Sequence, residues 1–153
     1  MARDGHALRV TTRTEDHRPA IEATGARCWI GTPDRLATLR AALDGVTIAC
    51  WMLGTATGET EQVRALHGAR LEFFLTQTID TTVRGFIYEA AGTVPQELLT
   101  AGERIVSAMG ARNAIPVAVL RADPEDAEAW LIDARTAIGG LLGVDDRREL
   151  RAE

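Results

Sequence analysis

Residues 46–55 read Val-Thr-Ile-Ala-Cys-Trp-Met-Leu-Gly-Thr, and this stretch decides the fold. It is the most apolar run in the chain, and it breaks at glycine. Residues 27–32, Arg-Cys-Trp-Ile-Gly-Thr, repeat its end, and the apolar segment 86–93 also closes on Gly-Thr. A short apolar run stopped by glycine reads as a buried strand meeting a turn. Three such strands, each leading toward a helix, predict an α+β or α/β domain.

Upstream, Gly31-Thr32-Pro33-Asp34 reads as a helix start. Threonine caps free N–H groups, proline fits the first helical position, and aspartate suits the positive end of the helix dipole. Leu36, Leu39 and Leu43 then share a face and Gly45 stops the helix. With strands at 21–30 and 46–53 on either side, this spacing predicts a βαβ unit with parallel strands. Residues 6–12 alternate weakly and suggest an edge strand within a polar segment, 1–20.

Downstream, residues 61–67 read as a short helix. Segments 71–79 and 82–90 read as two strands of an antiparallel hairpin turning at Asp80-Thr81. Pro95 starts a helix with Leu98, Leu99, Gly102, Ile105, Val106 and Met109 on one face and a stop at Gly110. A strand at 115–120 follows, then a helix started by Asp123-Pro124-Glu125-Asp126, whose stripe runs from Ala127 to Leu142. Residues 145–153 read as a solvated tail. The expectation is one two-layer domain over 21–144, with a mixed sheet of five or six strands and helices on at least one face, in an order that also reads as two similar βαβα halves.

Composition narrows the chemistry. The 153 residues are 46% hydrophobic and 25% charged, with net charge −5. That leaves no basic footprint for nucleic acid or an anionic membrane. No apolar run approaches the ~20 residues that span a bilayer, and the start of the chain lacks a signal peptide's apolar centre. The expected location is the cytoplasm. All 17 basic residues are arginine, a bias that fits a GC-rich genome. Without lysine there is no Schiff base, and residues 54–60 cannot be a P-loop. The single serine, Ser107, falls inside a helix, not at a nucleophile elbow.

The site candidates follow from that layout. Gly31-Thr32 and Gly54-Thr55 are expected at the carboxyl edge of parallel strands, where open α/β sheets bind ligands and helix N-termini favour anions. Cys28 and Cys50 are expected as buried, reduced thiols. Either becomes a nucleophile only beside a partner such as His67. Glu72 and Glu89, on strands expected to pair, are candidates for acid–base work and equally for ion pairs. His6, His17, Asp4, Glu15 and Asp16 match no metal-ligand spacing, so no metal is expected, and nothing calls for a cofactor. Trp29 and Trp51 hold equivalent places in the two Cys-Trp segments and are expected in the core.

With so few catalytic side chains, the leading expectation is a non-catalytic protein that self-assembles or binds a partner or small ligand. The alternative is a small enzyme using Glu72, Glu89, His67 or a thiol on a small molecule. A phosphate- or nucleotide-binding regulatory module comes third.

Overall fold

The computed structural model describes residues 2–143; the expected tail, 145–153, lies outside them. Two compact units follow each other, Met1–Asp44 and Gly45–Glu153, and each carries its own parallel sheet.

The first unit contains β1 (Arg9–Thr12), α1 (Arg18–Ala23), β2 (Arg27–Ile30) and α2 (Ala37–Arg40). β1 and β2 pair in parallel, Val10 opposite Cys28 and Thr11 opposite Trp29. The strand expected at 21–30 is helix over its first three residues, 21–23, and turn over the next two. Pro19 sits in the first turn of α1, where its fixed φ favours the helix. Gly25 at φ +87° then turns the chain into β2. The helix expected directly after Thr32 is also shortened. Thr32 Oγ1 accepts the Asp34 N–H at 3.2 Å, closing a local turn in competition with a helical cap. α2 therefore begins only at Ala37 and runs on as a 3-10 turn, Ala41–Leu43. Its expected face is still buried at Leu39 and Leu43.

The second unit contains β3 (Ile48–Trp51), α3 (Thr60–Leu66), α4 (Ala69–Thr78), β4 (Gly85–Glu89), α5 (Gln96–Asn113), β5 (Val117–Leu120) and α6 (Ala127–Leu142). The three strands run in parallel in the order β3-β4-β5. The α/β class holds, but the mixed sheet becomes two parallel sheets of two and three strands. The βαβ unit spanning 21–53 is corrected too, because β2 pairs with β1 and β3 pairs with β4. Among the described residues, the expected halves reduce to β1-α1-β2-α2 in the first unit, with three strands and four helices in the second.

The largest correction is the hairpin. Residues 69–78 are helix α4, and β4 runs parallel to β3. The stretch Leu71-Glu-Phe-Phe-Leu satisfies both periods: alternation gives Leu71, Phe73 and Leu75, and the helical period gives Leu71, Phe74, Leu75 and Thr78. The second set is the buried one, while Phe73 is 55% exposed.

Opposite faces of this sheet meet different helices. In register, Trp51 lies beside Tyr88 and Ala49 beside Phe86. Phe74 of α4 packs on that face, 4.9 Å from the Trp51 ring and 6.3 Å from Phe86. α5 lies on it at Gly102, where an added Cβ would stand 2.1 Å from Tyr88 Oη. Gly85, Ile87 and Glu89 point to the other face, where Leu141 and Trp130 of α6 meet Gly85 and Glu89. β4 is buried along its whole length, as expected of a parallel strand covered on both faces.

Candidate functional site

At the carboxyl ends of β3 and β4 the chain turns through Leu53-Gly54-Thr55 and Ala91-Gly92-Thr93. The two turns are in backbone contact. A Cβ on Gly54 would lie 1.8 Å from the Ala91 carbonyl oxygen, and one on Gly92, whose φ is +136°, would lie 2.2 Å from the Gly54 carbonyl oxygen. The Val94 N–H donates to that Gly54 carbonyl at 2.9 Å. Only glycine allows this approach.

Glu89, the last residue of β4, fixes the arrangement from below. It is 4% exposed. One carboxyl oxygen accepts the Gly54 N–H at 2.8 Å and the other accepts Trp130 Nε1–H at 2.8 Å. A buried carboxylate is tolerated when donors satisfy it in this way. The turn after β5 is held similarly, with Asp133 Oδ2 accepting the N–H groups of Arg121 and Ala122 at 2.8 and 3.0 Å. The Gly54 N–H after β3 and the Arg121 and Ala122 N–H groups after β5 are thus taken by the protein's own carboxylates.

His67 lies under the same edge and is 1% exposed. Its Nε2 stands 3.1 Å from the Leu53 carbonyl and its Nδ1 2.7 Å from Tyr88 Oη. A carbonyl only accepts, so Nε2 carries the proton and Nδ1 is left to accept. The single Tyr88 hydroxyl proton faces both Nδ1 at 2.7 Å and the Leu99 carbonyl at 3.2 Å, and the shorter contact assigns it to Nδ1. Burial holds the imidazole below its ordinary pKa, keeping it neutral. The Tyr88 hydroxyl is pushed up, first by burial and then by the charges of Glu103 and Glu89. Both rings are packed away from the edge and serve to position Leu53.

The other candidates fall elsewhere. Glu72 is exposed on α4, so the strand pairing that would place it beside Glu89 does not exist. Cys50 is exposed, against the expectation of burial, and Cys28 is half-buried. Although the residue is accessible to solvent, its place on an apolar strand desolvates the thiol and pushes it up to about 11, the opposite of activation. Both polar contacts of the His67 ring go to Tyr88 and Leu53, so no Cys–His pair forms there. Gly31 and Thr32 belong to the first unit, where the Thr32 N–H donates to Thr38 Oγ1 at 2.9 Å. In that unit Trp29 Nε1–H donates to the Thr38 carbonyl at 2.8 Å and the Arg9 guanidinium lies 5.7 Å from its ring. Trp51, by contrast, is buried in the second unit. Among the described residues, no three His, Cys, Asp or Glu side chains cluster as metal ligands.

Sequence reasoning missed Gly92, Trp130 and Asp133 as parts of this edge. The available signal was the third Gly-Thr turn at residues 92–93, which repeats the first two.

No protein-family description and no curated protein matches the chain. Solved structures do. One titled gox2253 superposes with a TM-score of 0.63 at 18% identity, covering 77% of this chain and 44% of that one. The triphenylmethane reductase of a Citrobacter species, complexed with NADP(H), gives 0.57 at 15% identity over 74% and 39%. The UDP-glucuronic acid 4-epimerase of Bacillus cereus, complexed with NAD, gives 0.54 at 13% identity over 77% and 48%. The chain spans less than half the length of each. At these identities the likeness establishes the fold, a Rossmann-like α/β arrangement. It also overturns the leading expectation of a non-catalytic protein. Two of these structures are of enzymes, the reductase solved with NADP(H) and the epimerase with NAD. Among the described residues, no helix is long and apolar enough to cross a membrane.

Proposed function

We propose that the chain is part of a nicotinamide-dinucleotide-dependent enzyme of the reductase or epimerase type. The carboxyl edge of β3-β4-β5 would meet the uncharged nicotinamide and ribose part of the cofactor. The observation that carries this is the edge itself. It lies where doubly wound sheets bind dinucleotides, and it is lined by the small residues Gly54, Thr55, Gly92 and Thr93.

The fit is good for one part of the cofactor and absent for another. Small side chains leave room for a flat ring, and Thr55 and Thr93, both exposed, offer hydroxyls to ribose or carboxamide. The diphosphate needs a Gly-x-Gly-x-x-Gly turn at a helix start, and no such spacing occurs in the 153 residues. When bound, the cofactor would supply or accept a hydride. The residues here would hold the edge in shape: Glu89 anchors the Gly54 turn, and His67 with Tyr88 anchors Leu53. A cytoplasmic location goes with this, since nicotinamide cofactors are kept inside cells.

The test is amide chemical-shift mapping with millimolar NADP+ and NAD+. The expected shifts cluster at residues 53–56 and 91–93, and Thr55→Trp, a change at an exposed position, abolishes them. Shifts spread over the surface, or none with either cofactor, would overturn the proposal.

A further inference from the structure

β3 has the composition of a central strand and the neighbours of an edge strand. Its stretch, Val-Thr-Ile-Ala-Cys-Trp-Met-Leu, carries no charge, no proline and no glycine. Natural edges are protected by charge, proline or bulges, and β3 has none of these. Among the described residues its only partner in the sheet is β4. One face is also open. Cys50 is in register with Ile87, on the face that α6 covers at Gly85 and Glu89. Ile87 is 0% exposed, yet Cys50 is exposed.

Strand order says which occupant fits. From β3 the chain moves to β4 and then β5, and α4 and α5, along this path, lie on the Trp51–Tyr88 face. In a doubly wound sheet the order reverses at the ligand site, and crossovers of one hand put the other half's helices on the opposite face. The strand next to β3 would therefore be parallel, with its helix over Cys50. It would carry the diphosphate turn that these 153 residues lack.

We propose that the open edge of β3 takes a parallel strand from a βα unit outside these residues: a short apolar strand, a glycine-rich phosphate-binding turn and a helix that covers Cys50. This rests on the cofactor proposal above, whose missing diphosphate site it supplies. A second copy of the chain pairing edge to edge is the competing occupant.

The test uses Cys28→Ser, which leaves Cys50 as the single thiol. A generic dinucleotide-binding βα unit is joined ahead of Met1, once with its Gly-x-Gly-x-x-Gly turn intact and once with those glycines changed to alanine. Maleimide labelling of Cys50 is expected to slow at least tenfold in both fusions, with slowed amide exchange at Ile48 and Cys50. NADP+ affinity should rise only with the intact turn. The same unit added in trans should give the same protection, which covers a fusion that fails to fold. Unchanged labelling and exchange in both formats would overturn the proposal. So would a dimer of the unfused chain with Cys50 already protected. Protection in both fusions without NADP+ binding would leave the strand docked and sink the cofactor reading instead.

Discussion

Glu89 joins the Gly54 turn to helix α6 through two oxygen atoms. Replacing it with glutamine keeps one acceptor and points an amide donor at a donor already present, either the Gly54 N–H or Trp130 Nε1–H. Glu89→Gln is expected to destabilise by about 1–3 kcal/mol, the usual cost of a buried polar group left unsatisfied. Urea unfolding measures it, and an unchanged midpoint would show that the clamp carries no weight. His67 gives a pH prediction with a definite sign. Its pKa is lowered in the folded protein, so below about 6.5 the unfolded chain binds the proton that the native ring refuses. His67 therefore contributes its stability above that value, and the contribution is lost as pH falls toward the folded pKa. Unfolding midpoints should drop from pH 7 to pH 5, and the drop should shrink in His67→Gln. Sequence flagged both residues, Glu89 for acid–base work or an ion pair and His67 as a thiol partner or acid–base group. Their types and apolar neighbours were visible. That their partners are Gly54, Trp130, Tyr88 and Leu53 depends on the parallel pairing of β3 with β4.

At the scale of elements, packing decided what local pattern left open. Phe73 and Phe74 are adjacent and chemically alike, so their burial separates strand from helix. Phe74→Ala should cost about 3–5 kcal/mol as a buried aromatic truncation. Phe73→Ala, at a half-exposed site, should stay within about 0.5 kcal/mol. Equal effects from the two would contradict α4. Gly102 offers a second check. Glycine to alanine inside a helix ordinarily gains about 1 kcal/mol. Here the new Cβ would sit 2.1 Å from Tyr88 Oη, so Gly102→Ala should instead destabilise by about 1–3 kcal/mol through overpacking, read from the thermal midpoint. Helices α5 and α6 were legible because proline or aspartate near the start and a long apolar stripe agree. α4 was not, because its ten residues fit both periods and the turn at Asp80-Thr81 suits a hairpin as well as a helix end. α2 was misjudged because Thr32 satisfies a turn before it can cap a helix.

At the scale of the whole molecule, alternating strands and helices made the α/β class legible, because that alternation survives wrong boundaries. The function was not legible. The carboxyl edge gathers residues 54, 89, 92 and 130, which share no sequence motif, and the one short pattern that would announce a dinucleotide is absent from the chain. The division into two units was hidden as well, since apolar residues are spread along the whole sequence. Buried ones are not. Among the described residues the first unit buries Ala26, Leu39, Ala42 and Leu43, and the rest of the buried apolar set belongs to the second. A 44-residue segment with so small a core lies near the size at which chains stop folding alone, whereas the second unit has a covered central strand and helices on both faces. The fragment 45–153 should therefore unfold in one cooperative transition by circular dichroism, with a near-native thermal midpoint. The fragment 1–44 should show the spectrum of an unfolded chain. Cooperative folding of 1–44 by itself would mean that β1 and β2 are held by more than those four residues supply.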